Sequence, residues 1–393
     1  MSLTAPAGFR ASGVTAGLKA SGRPDVALVV NDGPSHVGAA VFTSNRVVAA
    51  PVLWSRTAVG DGVVRAVVLN SGCANACTGA EGFADTHRTA ERVADALAVS
   101  AADVLVCSTG LIGERLDLPA LLTGVDAAVD ALADDPVGGT HAAEAIMTTD
   151  TVAKEVAVTR QTAAGTWTVG GMAKGAGMLA PALATMLAVL TTDAVVEPED
   201  ADAALRAATR VTFDRVDSDG CQSTNDTVAI LASGASGVPV GRAELTEALT
   251  TVCADLARRL VADAEGASHD VAVTVSGATS EDAALAVARA VTRSNLLKAA
   301  IFGNDPNWGR VLAAAGTVPA EVAPFDPDAV DVTVNGVAVC RGGAPGEDRA
   351  LVDLAASREV RIDVELHAGE AAATVWTNDL THDYVHENSA YST

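Results

Sequence analysis

Thr166-Trp-Thr-Val-Gly-Gly-Met-Ala-Lys174-Gly-Ala-Gly-Met-Leu-Ala-Pro181-Ala-Leu-Ala-Thr185-Met-Leu-Ala-Val-Leu-Thr-Thr-Asp-Ala194 is the stretch around which the rest of the chain is arranged. A short β-prone run ends in Gly170-Gly171. Lys174 then stands between glycines at 171, 175 and 177, and Pro181 leads into an almost wholly apolar segment whose first polar side chain is Thr185. A hydroxyl in an apolar wall must find a hydrogen bond or cost roughly 1–3 kcal/mol. As a nucleophile it gains from being held where water is scarce and the attacking atom can be aimed.

Several other readings fail. The apolar run from Met178 to Leu190 carries Pro181 and Thr185 and falls short of the ~20 residues a bilayer span needs. Gly175-Ala-Gly177-Met-Leu-Ala180 fits a dinucleotide-loop pattern, but Pro181 and Thr191-Thr192-Asp193 leave too little chain for a crossover helix, a second strand and an acidic residue. A phosphate-cradling loop would need Gly-Lys-Ser/Thr, which does not follow. The residues alone leave two readings open: a buried helix entered through a Gly-rich turn, or a nucleophile site.

Other blocks of the chain separate the two. Lys174-Gly-Ala-Gly-Met-Leu-Ala-Pro181, then Ala184-Thr185-Met186-Leu187 and Thr192-Asp193-Ala194, resembles the self-cleavage segment of the glutamate N-acetyltransferases, also called ornithine acetyltransferases, of arginine biosynthesis. The resemblance recurs in order at Asn70-Ser-Gly, Ala74-Asn-Ala-Cys-Thr-Gly79, Cys107-Ser-Thr-Gly-Leu-Ile-Gly113, Ile146-Met-Thr-Thr-Asp150 and Ser223-Thr-Asn-Asp-Thr227. It continues at Asp263-Ala-Glu-Gly266, Gly303-Asn-Asp-Pro-Asn-Trp-Gly-Arg310 and Glu387-Asn-Ser-Ala-Tyr-Ser-Thr393. Two departures are Cys73, where the family's block leads one to expect asparagine, and Gln222 before the Ser223 block; neither falls on a position assigned to catalysis.

The resemblance implies an α/β fold, a four-layer α/β/β/α sandwich with mixed sheets, like that of the related self-cleaving aminopeptidases. It implies autoproteolysis at Ala184–Thr185 into an α chain, 1–184, and a β chain, 185–393, assembled as a heterotetramer. Thr185 would take an acetyl group from N-acetylornithine and pass it to glutamate, a ping-pong exchange without cofactor or metal, with acetyl-CoA as a further donor if the enzyme is bifunctional. By similarity Thr109 and Gly110 form the oxyanion hole, and Thr148, Lys174, Thr185, Glu265, Asn388 and the terminal Thr393 contact substrate. Two alternatives stand beside it: a hydrolase on the same scaffold, and a non-catalytic metabolite-binding protein that stays uncut.

The chemistry is consistent with the residue types. The histidines at 36, 87, 141, 269, 367, 382 and 386 have no motif context, but cleavage would give Thr185 its own base, since a free α-amino group has a pKa of about 7.7–8.0. Substrates bearing an α-carboxylate and either an ammonium or a second carboxylate need both signs of charge, which Lys174 and Glu265 supply. Lysine is scarce, occurring only at 19, 154, 174 and 298, so a lysine among glycines is not ordinary surface decoration.

At 393 residues with 49% hydrophobic content, the chain can bury an ample core. Its 49 acidic against 26 basic residues, net −23, would repel nucleic acid and anionic membranes. The six cysteines lack ligand spacing and suit reduced thiols. With no secretory pattern at the N-terminus, the cytoplasm is the expected compartment.

Along the chain, Val26–Val30 and Val37–Thr43 flank the turn signal Asn31-Asp-Gly-Pro and predict an antiparallel hairpin. Val63–Leu69 predicts a buried strand running into a loop at Asn70–Gly79. Glu81–Ala98 predicts a helix with Phe83, Ala90, Val93, Ala94 and Leu97 inward. Val104–Cys107 predicts a strand that delivers Ser108-Thr109-Gly110 as a loop. Helices are expected at Leu118–Leu132 and His141–Met147, the second emptying into Thr148-Thr149-Asp150, where a capping role competes with a catalytic one. Glu155–Thr159 and Thr166–Val169 predict a hairpin turning at Ala163-Ala-Gly165.

In the second half, Asp200–Phe213 predicts a helix and Thr227–Leu231 a strand. Arg242–Asp263 is the clearest helix, with Leu245, Leu249, Val252, Cys253, Leu256 and Leu260 on one face. Thr279-x-x-Asp282 predicts the start of a helix running to about Arg293. Val360–Leu366 predicts a strand with one wet face, turned by His367–Glu370 into Ala373–Thr377, and the polar tail from Asn378 has the composition of a frayed end. No internal repeat or flexible linker divides the chain.

Overall fold

A computed structural model describes residues 2–179 and 186–390. In chain order the first unit comprises β1 (Phe9–Val14), β2 (Val26–Asn31), β3 (Val37–Phe42), α1 (Ala50–Ala58), β4 (Ala66–Cys73), α2 (Gly79–Leu97), β5 (Val104–Leu111), α3 (Leu118–Asp130) and α4 (Pro136–Ala145). It continues with β6 (Lys154–Thr162), β7 (Gly165–Lys174), β8 (Leu187–Thr192), α5 (Pro198–Arg210), β9 (Thr227–Ala232) and α6 (Arg242–Ala262). A second unit follows: β10 (Asp270–Ala278), α7 (Glu281–Thr292), α8 (Asn295–Phe302), α9 (Trp308–Ala315), β11 (Asp331–Val334), β12 (Val337–Arg341), β13 (Ala344–Pro345), β14 (Glu359–Glu365), β15 (Ala371–Asn378) and α10 (His382–Ala390).

The central strands β2, β8 and β9 are buried at every position, the signature of a sheet covered on both faces. One sheet runs β1-β2-β4-β5 and the other β3-β9-β8-β7-β6. Both are mixed, since β4 and β5 are parallel, as are β8 and β9, while the other pairs are antiparallel. Alternation of side chains along each strand builds the layers. Val29, Leu69 and Leu105 meet Met172, Val189 and Leu231 between the sheets. Their neighbours Leu28, Val68 and Val106 pack outward on Val93, Leu121 and Val125 of α2 and α3. On the far side, Val169, Leu190 and Ile230 pack on Leu205, Leu249 and Leu256 of α5 and α6. The result is the expected four-layer α/β/β/α sandwich. The second unit is a six-stranded sheet, order β13-β12-β11-β14-β10-β15, with Val273 and Val364 packed on Val287, Val291 and Ile301.

The clearest sequence signals hold. All six expected inward residues of α6 are buried, β6 and β7 form the expected hairpin, and β14 alternates exposed and buried positions. Other expectations need correction. β2 and β3 are not a hairpin: β2 pairs with β1 and β4, β3 with β9, and residues 32–36 cross from one sheet to the other. A strand buried on both faces reads alike whichever neighbour it pairs with. Asn70–Cys73 continues β4 rather than opening a loop, and Ser108–Leu111 continues β5. Gly170 and Gly171 lie inside β7, where a Cβ would come within 2.8 Å of the Ser2 carbonyl oxygen and 2.7 Å of Leu190 Cδ2 respectively. These two glycines permit close packing rather than a turn. Leu187–Thr192 form strand β8, not a helix.

Further corrections are local. Phe83 is exposed, resting against Trp54 with ring centroids 6.3 Å apart. The cap of α7 is Ser280, which accepts from Ala283 N, not Thr279. β14 and β15 are separated by β10, parallel to the first and antiparallel to the second. The tail forms helix α10 through Ala390. No helix among the described residues is long and apolar enough to cross a membrane.

Candidate active site

The C-terminal ends of β5 and β7 open on one pocket. It is lined by Thr109 and Gly110 from β5, Thr148 and Thr149 beyond α4, Lys174 at the end of β7, Gly177 and Met178, Glu265 beyond α6, and Asn388 of α10, with Ile112. Residues more than 270 positions apart in the chain therefore share one cavity. Six of the expected site residues, Thr109, Gly110, Thr148, Lys174, Glu265 and Asn388, are brought together. Ala184, Thr185 and Thr393 lie outside the described residues.

Thr109 and Gly110 sit where the β4–β5 register breaks at Gly72/Cys73, a bulge that ends regular pairing at the rim. Gly110 has φ +129°, and a Cβ there would lie 2.4 Å from Gly72 C. Only glycine fits, so the strand end can bend into the pocket.

Lys174 is 1% exposed. Its Nζ donates to Thr148 Oγ1 at 2.8 Å and Thr109 Oγ1 at 3.3 Å, so Thr148 serves the pocket rather than a helix end. Burial, with the like charge of Lys154, lowers the Lys174 proton affinity, and Asp150, Glu265 and Asp226 oppose that. Asp150 is the hub. It lies 3.9 Å from Lys174 Nζ and 2.7 Å from Lys154 Nζ, and accepts from Gly175 N at 2.7 Å and Thr148 N at 3.1 Å. Burial alone would raise its pKa, but Lys174 and Lys154 hold it at about 2. Lys154 also bonds Asp263 at 2.6 Å.

At the other end of the pocket Glu265 accepts from Asn388 Nδ2 at 2.9 Å. Gly177 makes room for it: a Cβ would lie 2.7 Å from both carboxylate oxygens. The lead-in to residue 180 is pinned throughout, by Gly175 N to Asp150, by Glu265 N to Ala176 O at 2.9 Å, and by Met178 N to Asp219 Oδ2 at 2.7 Å. Beyond residue 185, Met186 N donates to Asp226 Oδ1 at 3.0 Å, and Thr227 N to Met186 O at 3.1 Å.

Asp150, Lys154, Asp263, Gly177 and Asp226 escaped sequence reasoning as site components. One signal was available for two of them: Asp150 and Lys154 have i,i+4 spacing in a lysine-poor chain, though their approach to Lys174 is long-range. The pocket joins a buried cation to a carboxylate, with no histidine among its described lining residues. His269 is occupied elsewhere, Nδ1 facing Asp379 Oδ2 at 2.8 Å and Nε2 facing Leu354 O at 3.2 Å. Such an arrangement suits a small zwitterionic ligand with charges at both ends.

A family model described as the ArgJ family matches residues 10–393. The arginine biosynthesis bifunctional protein ArgJ of Thermobifida fusca is 63% identical over 393 residues, covering 100% of both chains. The protein of that name from Streptomyces coelicolor is 62% identical over 392 residues, again covering 100% of each. Among solved structures, ornithine acetyltransferase complexed with ornithine, from Mycobacterium tuberculosis, is 59% identical with a TM-score of 0.44, over 46% of this chain and 94% of that one.

Proposed function

The chain belongs to the ArgJ family, and from that premise we propose that it moves an acetyl group from N-acetylornithine to glutamate in arginine biosynthesis, through an acetyl ester on Thr185. The observation that carries this reading is the convergence of Thr109, Gly110, Thr148, Lys174, Glu265 and Asn388 on one pocket. Self-cleavage between Ala184 and Thr185 yields chains 1–184 and 185–393, which assemble as a heterotetramer, and frees the α-amino group that serves as base. Thr185 Oγ1 attacks the acetyl carbonyl, ornithine departs, and the glutamate amine then attacks the ester. Thr109 and Gly110 supply the oxyanion hole, which a bent strand end suits. Lys174 holds a substrate carboxylate and Glu265 the ammonium of the donor's side chain, with Asn388 orienting Glu265 and Thr393 completing the site.

The relatives are named bifunctional, and we extend that to this chain as an amino-acid N-acetyltransferase activity with acetyl-CoA as donor. The six cysteines are free, four of them buried, which fits a cytoplasmic enzyme.

A Glu265→Gln variant tests the substrate assignment in a steady-state assay of transfer to labelled glutamate. Losing a charge-assisted hydrogen bond of about 1.5–3 kcal/mol should raise the KM for N-acetylornithine by roughly 10-fold or more. An unchanged KM would remove Glu265 from ammonium binding, and absence of transfer by the unmodified protein would remove the function itself.

A further inference from the structure

The Ser223–Thr227 block joins the two halves of the site by consecutive residues. Asn225 Nδ2 donates to Ser108 O at 2.9 Å and Ala74 O at 2.6 Å, holding the end of β5 that carries Thr109. Asp226 faces the other way, and its Oδ1 accepts the amide N–H that joins Met186 to Thr185, at 3.0 Å. Its carboxyl is fully buried. The second oxygen, Oδ2, has no hydrogen-bond partner among the described residues. The Thr43 and Ser223 hydroxyls stand nearby and favour the ionised form, Thr43 Oγ1 donating to Ser223 O at 2.7 Å and Ser223 Oγ accepting from Asn225 N at 3.0 Å. Parallel register of β8 and β9, Leu187 opposite Thr227, fixes the carboxyl beside the start of β8. A buried acid oxygen without a partner is costly, and such groups occur where chemistry uses them.

We propose that Asp226 is the proton donor of self-cleavage, delivering its Oδ2 proton to the Thr185 nitrogen as the Ala184–Thr185 bond breaks. This rests on the self-cleaving reading above. Thr185 Oγ1 bonds to the Ala184 carbonyl carbon and the C–N bond of that peptide breaks. The departing nitrogen takes the Asp226 proton and becomes an amine, and the hydroxyl proton returns to the Asp226 carboxylate. The product is an Ala184 ester of Thr185, which water hydrolyses. Burial, outweighing the Met186 N–H, the Ser223 and Thr43 hydroxyls and the Lys174 charge that favour the ionised form, keeps the Asp226 proton on well past the ordinary carboxylate range.

The test is pulse-labelled precursor made by cell-free synthesis and chased, with cleavage followed by intact mass for the unmodified, Asp226→Asn and Thr185→Ala chains. Asp226→Asn keeps an oxygen acceptor for Met186 N but removes the acid. Folded, as judged by a cooperative thermal transition like that of Thr185→Ala, it should cut roughly 100-fold more slowly or worse. Cutting within a few-fold of the unmodified rate, with Thr185→Ala still whole, overturns the role of Asp226 and leaves Thr185 standing. Cleavage of Thr185→Ala at the same bond overturns the nucleophile and this proposal together. Should Asp226→Asn fail to fold, Asp226→Glu decides: a folded chain that cuts supports an acid at this position, and one that stays whole overturns it.

Discussion

A Thr185→Ala chain is expected to purify as a single uncut polypeptide and to lose acetyl transfer by at least about 10⁴-fold, the scale seen when a covalent nucleophile is removed. The surroundings make this the largest effect available. The chain before residue 180 is fixed by Asp150, Glu265 and Asp219, and the chain after residue 185 by Asp226 and Thr227. The pocket offers alternative hydroxyls at Thr148 and Thr109, but both accept from the buried Lys174 ammonium, which occupies lone-pair density an attack would use. Thr185→Ser should retain both cleavage and transfer at reduced rate. A Thr185→Ala chain that transfers acetyl at the unmodified rate would remove Thr185 as the nucleophile.

Asp150→Asn should destabilise the fold by about 3–5 kcal/mol, the range found when one partner of a buried ion pair is removed. Lys154 and Lys174 are each 1% exposed. Asp150 faces both, while Asp263 compensates only Lys154. An amide keeps the shape but leaves Lys174 without its nearest carboxylate, so its proton affinity falls further and its grip on a substrate carboxylate weakens. The acid limb gives an independent check. With a folded pKa of about 2 against an unfolded value of about 3.9, the Asp150 contribution is complete above the unfolded value and is lost as pH falls through the folded one. Denaturant titrations between pH 5 and 2 should therefore show a shallower loss of stability in the variant. A change below ~1 kcal/mol at neutral pH would mean that water or Asp263 carries the two ammoniums.

Local signals made much of this fold legible. The α6 stripe, the β6–β7 hairpin and the wet face of β14 each follow from periodicity within one segment. Pairing did not follow, because β2 and β3 are apolar on both faces and nothing in five intervening residues says that the chain changes sheets. Gly170 and Gly171 were misread for a related reason: a glycine needed for close packing and one needed for a turn look the same in sequence. The site divides likewise. Lys174, Glu265 and the Thr109-Gly110 pair were found through ordered motifs, whereas Asp150 as the shared counterion and Asp226 as the partner of Met186 depend on contacts that only the folded chain creates.

The most direct measurement is the intact mass of the purified protein after brief mixing with N-acetylornithine, followed by addition of either glutamate or buffer. The account predicts one added acetyl group on the fragment that begins at Thr185, discharged by glutamate to N-acetylglutamate much faster than by water. No acetylated fragment, or discharge at the same rate in buffer as with glutamate, would contradict it, the second result making the protein a hydrolase.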